Sequence, residues 1–177
     1  EAGRLVEVPI LGVLPVISPA VQTRKYGDAL MQEPAILESY RSLLRSLEFA
    51  AAEDIKVIVV SSALSGEGKS LVSSYLAAVA ATLSRRTLLI DADLRRPMQH
   101  ELFKLAIKPG LTEVAQGKLP LAEAVQATSI GKLDVLCSGR FSSHPSELFE
   151  SKQVHQVIAA AATQYDLVIV DTPPVTS

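Results

Sequence analysis

The β-branched run Ile55, Val57, Ile58, Val59 and Val60 leads into Ala63-Leu-Ser-Gly66-Glu-Gly68-Lys69-Ser70, and the Ala-rich stretch Leu71 to Leu83 follows at once. A short, nearly all-apolar run is what a strand buried on both faces requires, and the stretch after it reads as a helix. A Gly-rich turn between such a strand and helix is where a phosphate-binding loop sits. The glycines let the backbone curl so that successive N–H groups point inward at phosphate oxygens. Lys69 then reaches the β and γ phosphates, and the Ser70 hydroxyl is placed to ligate Mg²⁺. The spacing marks Ser65, Gly66, Glu67, Gly68, Lys69, Ser70 and Leu71 as nucleotide-binding residues. Gly66-Glu-Gly68 also resembles the start of a dinucleotide fingerprint, but the third glycine would fall on Leu71.

Three more runs have the buried-strand character: Leu88-Leu-Ile90, Leu133-Asp-Val-Leu136 and Leu167-Val-Ile-Val170. Helical patterns lie between them, the clearest over Glu147 to Ala162, with Ala159 to Ala162 in its core. Upstream, Ile36, Leu37, Tyr40, Leu43, Leu44, Leu47 and Ala51 recur at helical spacing behind Pro34, which predicts a helix over 35–52. Its charged face carries Glu38, Arg41, Arg45 and Glu48. Strands alternating with helices predict an α/β domain built on a mostly parallel sheet, with helices on both faces and right-handed crossovers. Four strands leave that sheet with an open edge.

Two strands end in acid. Leu88-Leu-Ile90-Asp91-Ala-Asp93 places two carboxylates on one side of an extended segment, and the C-terminal ends of strands are where open α/β sheets hold their sites. Leu167 to Val170 runs into Asp171, the arrangement that holds a Mg²⁺-bound water beside a nucleotide. One Gly-rich loop, one lysine and three carboxylates are thereby expected on a single edge of the sheet. Arg95 and Arg96 follow, with a phosphate, a neighbouring subunit or a structural ion pair as alternative partners.

Composition narrows the function. The 177 residues are 48% apolar and 20% charged, enough for one domain with a sizeable core. Seventeen basic against nineteen acidic side chains give a formal charge of −2, so no general field for nucleic acid exists and any anion site is local. Phe141 and Phe149 lack the basic-aromatic interleaving that single-stranded nucleic acid requires and are read as packing. Cys137 is the only cysteine, a small buried hydrophobe in a reducing compartment. His100, His144 and His155 have no metal-ligand spacing. The uncharged stretch Val8 to Thr23 is too short and too broken by Pro9, Pro15 and Pro19 to span a bilayer as a helix, and no export signal opens the chain. Residues 1–33 read as a linker with at most one short strand, and 34–177 as the domain. Because the sequence opens at Glu1, it is expected to be a piece of something longer.

With these motifs in place, the chain resembles the bacterial tyrosine kinases, cytoplasmic domains of the polysaccharide co-polymerases that control capsule and exopolysaccharide export. The resemblance rests on Ser65-Gly-Glu-Gly-Lys-Ser70, Ile90-Asp-Ala-Asp-Leu-Arg-Arg-Pro97 and Tyr165-Asp-Leu-Val-Ile-Val-Asp-Thr-Pro-Pro174, with Gly110-Leu-Thr-Glu-Val114 and Pro145-Ser-Glu-Leu148 between them. Leu11-Gly-Val-Leu-Pro15 is similar to the juxtamembrane stretch of single-chain members. The resemblance implies a P-loop NTPase-like fold, with ATP and Mg²⁺ as cofactors and phosphorylation of tyrosines in trans between subunits. It implies that Lys69 neutralises phosphate charge, that Ser70 binds Mg²⁺ with Asp91 and Asp171 holding its waters, and that Asp93 orients or deprotonates the substrate phenol. It implies a membrane activator segment on the same or a separate chain, the export machinery as partner, no nucleic acid, and a place at the cytoplasmic face of the plasma membrane.

Two departures qualify this. The family's first helix carries E-x-x-R-x-x-R, a motif of ring assembly. Here Glu38 and Arg41 match, but the third position is Leu44, with Arg45 one residue late and so about 100° further round the helix. The ring interface Glu38, Arg41, Arg45 competes with a plain solvated face. The family also continues past the third motif into further strands and a tyrosine-rich tail, whereas Tyr26, Tyr40, Tyr75 and Tyr165 form no cluster. A nucleotide-binding scaffold with little kinase turnover is therefore the alternative. A partition-type ATPase is the third reading, but it wants lysine where Leu64 stands.

Overall fold

The computed structural model describes residues 9–16, 33–51, 54–140 and 145–176. Of the expected 1–33 linker only 9–16 and Glu33 are among these, and Tyr26, Phe141 and His144 lie outside them. The elements in chain order are α1 (Pro34–Ala50), β1 (Val57–Val60), α2 (Lys69–Thr82), β2 (Thr87–Asp91), α3 (Gln99–Phe103), α4 (Leu111–Ala115), α5 (Leu121–Ala124), β3 (Gln126–Ala127), β4 (Leu133–Leu136), α6 (Pro145–Phe149), α7 (Lys152–Gln164) and β5 (Leu167–Asp171).

The strands form one sheet in the order β1-β5-β2-β4-β3. All pairs are parallel except β3 with β4, so the mostly parallel α/β expectation holds. The fifth strand, two residues of polar and small side chains, has no hydrophobic period and was not expected from the sequence. β1 is the edge opposite β3, and Val59 on it is 61% exposed. β2 and β5 are central, with all five residues of each buried, which is why their sequences are apolar without alternation.

Alternate residues feed two cores. Leu89 and Ile169 face one side with Leu133, Val135 and Cys137, packed under α2. Leu88, Ile90, Val168 and Val170 face the other with Val154, Val157 and Ala161 of α7. α2 is buried along nine consecutive residues, Ser73 to Ala81, because it is sandwiched between the sheet and α1. Small alanines allow that close approach. α1 contributes Leu37, Tyr40 and Leu44 at helical spacing, and the Tyr40 ring stacks on Tyr75 with centroids 4.9 Å apart and planes 15° from parallel. Leu14, from the 9–16 segment, packs against the same core as irregular chain without a strand. Among the described residues no helix is long and apolar enough to cross a membrane.

The expected helix over Glu147 to Ala162 is two helices. Ser151 interrupts it by capping α7, its side chain accepting from Val154 N at 3.3 Å. Its alanines are also less buried than expected: Ala161 is in the core, while Ala159 and Ala160 face solvent because the sheet covers only one stripe of α7.

Candidate functional site

The loop after β1 turns through two left-handed glycines, Gly66 at φ 87° and Gly68 at φ 86°. A side chain would be strained at either position, although nothing lies within 4 Å of where its Cβ would be. The Glu67 carboxylate accepts from Leu64 N at 3.0 Å and fixes the loop from outside, as does the Ser62 hydroxyl, which donates to Leu64 O at 2.8 Å. Gly68 starts α2 without a side-chain cap, so the N–H groups of the first turn stay open to an anion at the positive end of the helix. A cleft of about 350 Å³ lies here, lined by Ser65, Gly66, Gly68, Lys69, Ser70 and Leu71 with Asp93, Arg96, Met98 and Leu102. A wider groove of about 910 Å³ between α4, α5 and α7 contains neither the loop nor the strand-end carboxylates, so volume alone does not select the site.

The carboxylates arrive by strand register. Asp91 ends β2 and Asp171 ends β5, and the two are paired across the parallel ladder. Asp93, two residues beyond β2, accepts from Lys69 Nζ at 2.7 Å through Oδ2 and from the backbone N–H of Arg96 at 3.0 Å through Oδ1. The expected loop, lysine and three carboxylates are thus brought together at one sheet edge. Arg96 reaches across, its Nη1 donating to Ser65 Oγ at 3.2 Å, while Arg95 lines a separate pocket with Phe149 and Pro173.

Asp91 and Asp171 are both fully buried. Burial pushes the Asp91 carboxyl up to about 7, against the opposing N–H groups of Gln99 and Met98 and with Asp171 adding repulsion. Asp171 is also raised, first by burial, with hydrogen bonds from Ser70 and Gln99 and the charge of Lys69 pulling it back. Each keeps one oxygen, Oδ1, buried and without a hydrogen-bond partner. Two orphaned acceptors side by side, next to a hydroxyl and an open helix N-terminus, are a donor set suited to a hard, hydrated cation.

The sequence did not single out Gln99. It is fully buried on α3, and its Nε2 donates to Ser70 O at 3.0 Å and to Asp171 Oδ2 at 2.8 Å. The available signal was positional: Gln99, Leu102 and Phe103 fall at i, i+3 and i+4, which puts a polar side chain on the buried face of a short helix. The expected assembly residues lie elsewhere. Glu38 and Arg41 form an i,i+3 ion pair of 3.3 Å on α1, and Arg45 is exposed on the same helix; none of the three lines the cleft. Cys137 is fully buried, and that burial pushes its thiol up to about 12, the inert core role expected of it.

Positions 55–177 match the AAA domain family. The kinase domain of Escherichia coli tyrosine kinase ETK superposes with a TM-score of 0.85 at 35% identity, covering 94% of this chain and 70% of that one. The chain belongs to the bacterial tyrosine kinase family. Tyrosine-protein kinase YwqD of Bacillus subtilis is 43% identical over 148 residues, covering 82% of this chain. The putative tyrosine-protein kinase EpsB of Ralstonia solanacearum is 37% identical over 174 residues, covering 95%. The chain spans 62% of the Bacillus relative's length and 23% of the Ralstonia relative's.

Proposed function

We propose that this chain transfers the γ-phosphoryl group of Mg-ATP to tyrosine hydroxyls of a second polypeptide. The observation that carries the reading is the convergence of Lys69, Asp93, Asp91 and Asp171 on the open N-terminus of α2. Phosphoryl transfer asks the protein for positioning and charge neutralisation more than for covalent chemistry, and those four residues supply both.

Residues 65–71 hold the phosphates with backbone N–H groups, and Lys69 exchanges Asp93 for phosphate oxygens. Among the described residues no cluster of three or more His, Cys, Asp or Glu side chains forms a metal cage. A magnesium site of one hydroxyl, water and phosphate would need none: Ser70 would ligate the ion directly, and Asp91 and Asp171 would hold its water through their free Oδ1 atoms. When bound there, the cation would supply neutralisation of charge on the transferring phosphoryl. Asp93, released by Lys69, accepts the phenolic proton; a tyrosine hydroxyl with a pKa of about 10 needs such a base as its bond to phosphorus forms. Arg96, already over the loop at Ser65, adds a second positive charge at the cleft mouth.

The face of α1 that carries exposed Glu38 and Arg45 with half-buried Arg41 is the surface through which subunits meet, so that one subunit's cleft serves another's tyrosines. The setting proposed is polysaccharide export at the cytoplasmic face of the plasma membrane, with a membrane segment as activator.

The test is incubation of the chain with labelled Mg-ATP and a tyrosine-rich peptide, followed by phosphoamino-acid analysis. Phosphotyrosine on the peptide is the expected product. Free phosphate without phosphotyrosine would leave a nucleotide-hydrolysing scaffold instead.

A further inference from the structure

We infer that Gln99 is a positioning residue for the cation site, tying the first turn of α2 to the two buried carboxylates. The inference rests on the nucleotide and cation reading above and adds to it a residue outside the loop and strand-end motifs. Gln99 joins three elements from a position with no solvent exposure. Its backbone N–H donates to Asp91 Oδ2 at 2.9 Å, at the end of β2. Its Nε2 donates to Asp171 Oδ2 at 2.8 Å, at the end of β5, and to Ser70 O at 3.0 Å, in the first turn of α2. Its Oε1 lies 2.8 Å from the Ser74 hydroxyl, one turn further along α2.

The amide orientation is set by this environment. Ser70 O and an ionised Asp171 carboxylate only accept, so both face the two-proton Nε2, and the Ser74 hydroxyl, within reach of both Ser70 O at 2.7 Å and Oε1 at 2.8 Å, is the one donor available to Oε1. A flipped amide would set three oxygens against one another. With the amide locked, Asp171 Oδ2 is occupied by the Gln99 side chain; Asp91 Oδ2 is occupied by the backbone N–H groups of Met98 and Gln99, and each carboxylate keeps Oδ1 without a partner. The Gln99 amide thus decides which oxygen of Asp171 remains for water around a cation, while the backbone at the start of α3 does so for Asp91. Gln99 also holds that pair at a fixed distance from Ser70, the proposed direct ligand. Partners that orient metal ligands typically change metal affinity by about 10- to 100-fold when removed.

The test uses the full chain and a fluorescent methylanthraniloyl-ADP probe, with affinity measured in EDTA and in Mg²⁺. Gln99→Met keeps the side-chain volume and removes the amide. The expected result is an affinity in EDTA within about 2-fold of the unmodified chain, with the Mg²⁺ enhancement reduced about 10-fold. An unchanged Mg²⁺ enhancement overturns the inference. So does a lowered melting midpoint with that enhancement intact, since a purely structural glutamine would behave so. If Gln99→Met does not fold, Ser74→Ala decides the matter, because it removes the hydroxyl that faces both Gln99 Oε1 and Ser70 O while leaving Ser70 and both carboxylates in place: a several-fold smaller enhancement supports the inference and an unchanged one overturns it. Failure of the unmodified chain to bind the probe at all is a separate result, which overturns the nucleotide reading and this inference with it.

Discussion

Lys69 Nζ stands 2.7 Å from Asp93 Oδ2, with 11% and 3% of the two side chains exposed, so the lysine of the phosphate loop is paired with the proposed base. The contact sets up a competition, because phosphate oxygens and Asp93 seek the same ammonium group. In the proposed mechanism, exchange of partner frees the carboxylate as nucleotide arrives, which would link base activation to substrate binding. Asp93→Asn is expected to keep nucleotide affinity within a few-fold, since the lysine loses a competitor, while phosphotyrosine formation falls by about 10²- to 10⁴-fold. Lys69→Met is expected to lose both. A nucleotide titration and a labelled transfer assay on each variant check this, and equal loss of binding in Asp93→Asn would refute the base role.

The buried pair at the ends of β2 and β5 makes stability depend on pH with an unusual sign for aspartate. Asp91 rises from its ordinary 3.8 to about 7 in the fold, so the folded chain binds a proton that the unfolded chain has released. Its contribution to stability is fully present below the ordinary value and is lost as pH rises through about 7, and Asp171, also raised, adds in the same direction. The melting midpoint of the chain in EDTA is therefore expected to fall between roughly pH 5 and pH 8. Asp91→Asn should flatten that slope. Mg-nucleotide, which favours the ionised carboxylates, should bind more tightly over the same rise in pH. A midpoint that increases over this window in EDTA would contradict the burial argument.

Much of this was legible along the chain because it is local. The β1, phosphate loop and α2 unit is contiguous, and its residue types are dictated by phosphate geometry, so Ser65 to Leu71 could be read one after another. Asp91 and Asp171 were legible because apolar runs ending in acid mark strand ends. Their pairing across the ladder was not, since nothing local states that β5 inserts between β1 and β2. Gln99 escaped for a similar reason: its partners are 29, 8 and 72 residues away, at Ser70, Asp91 and Asp171. The break at Ser151 was missed because apolar spacing continues across it, and only the capping geometry shows where the second helix starts. The two-residue β3 has too little sequence to carry a period.

Gly110 offers a test of packing independent of the chemistry. Its backbone is extended, at φ −157°, so any residue could adopt the conformation. The space is what forbids a side chain: a Cβ would fall 2.2 Å from Cys137 O and 2.4 Å from Gly139 N. Leu111 N donates to that same carbonyl at 2.7 Å, and the Glu113 carboxylate accepts from Gly110 N at 2.9 Å, so the two loops are joined where they touch. Gly110→Ala must push them apart and is expected to lower stability by about 1 to 3 kcal/mol or more. Urea unfolding checks this. A loss under about 0.5 kcal/mol, the range of an ordinary surface substitution, would mean the loops separate freely.

Tyr40 and Tyr75 stack between α1 and α2 with 1% and 2% of their surface exposed, and this excludes them as acceptors in the folded chain. Burial raises the Tyr40 hydroxyl above its ordinary range, with Tyr75 adding to the effect, so its proton is harder to remove than that of a free phenol. Tyr165 donates to Asp134 Oδ2 at 3.0 Å, and its hydroxyl is pushed up to about 12, first by burial and then by that carboxylate. A phenol must reach the cleft at Lys69 to be phosphorylated, and neither member of the stack can do so without α1 leaving α2. After incubation with Mg-ATP, mass spectrometry is therefore expected to find phosphate on an added tyrosine-rich peptide and none on Tyr40 or Tyr75. Tyr75→Ala, which empties the centre of the stack, should cost about 3 to 5 kcal/mol. Tyr40→Phe keeps the ring and should change stability by less than about 1.5 kcal/mol. Phosphate found on Tyr40 in a chain that retains its melting midpoint would show that α1 detaches readily, and the acceptor would then be sought within the domain itself.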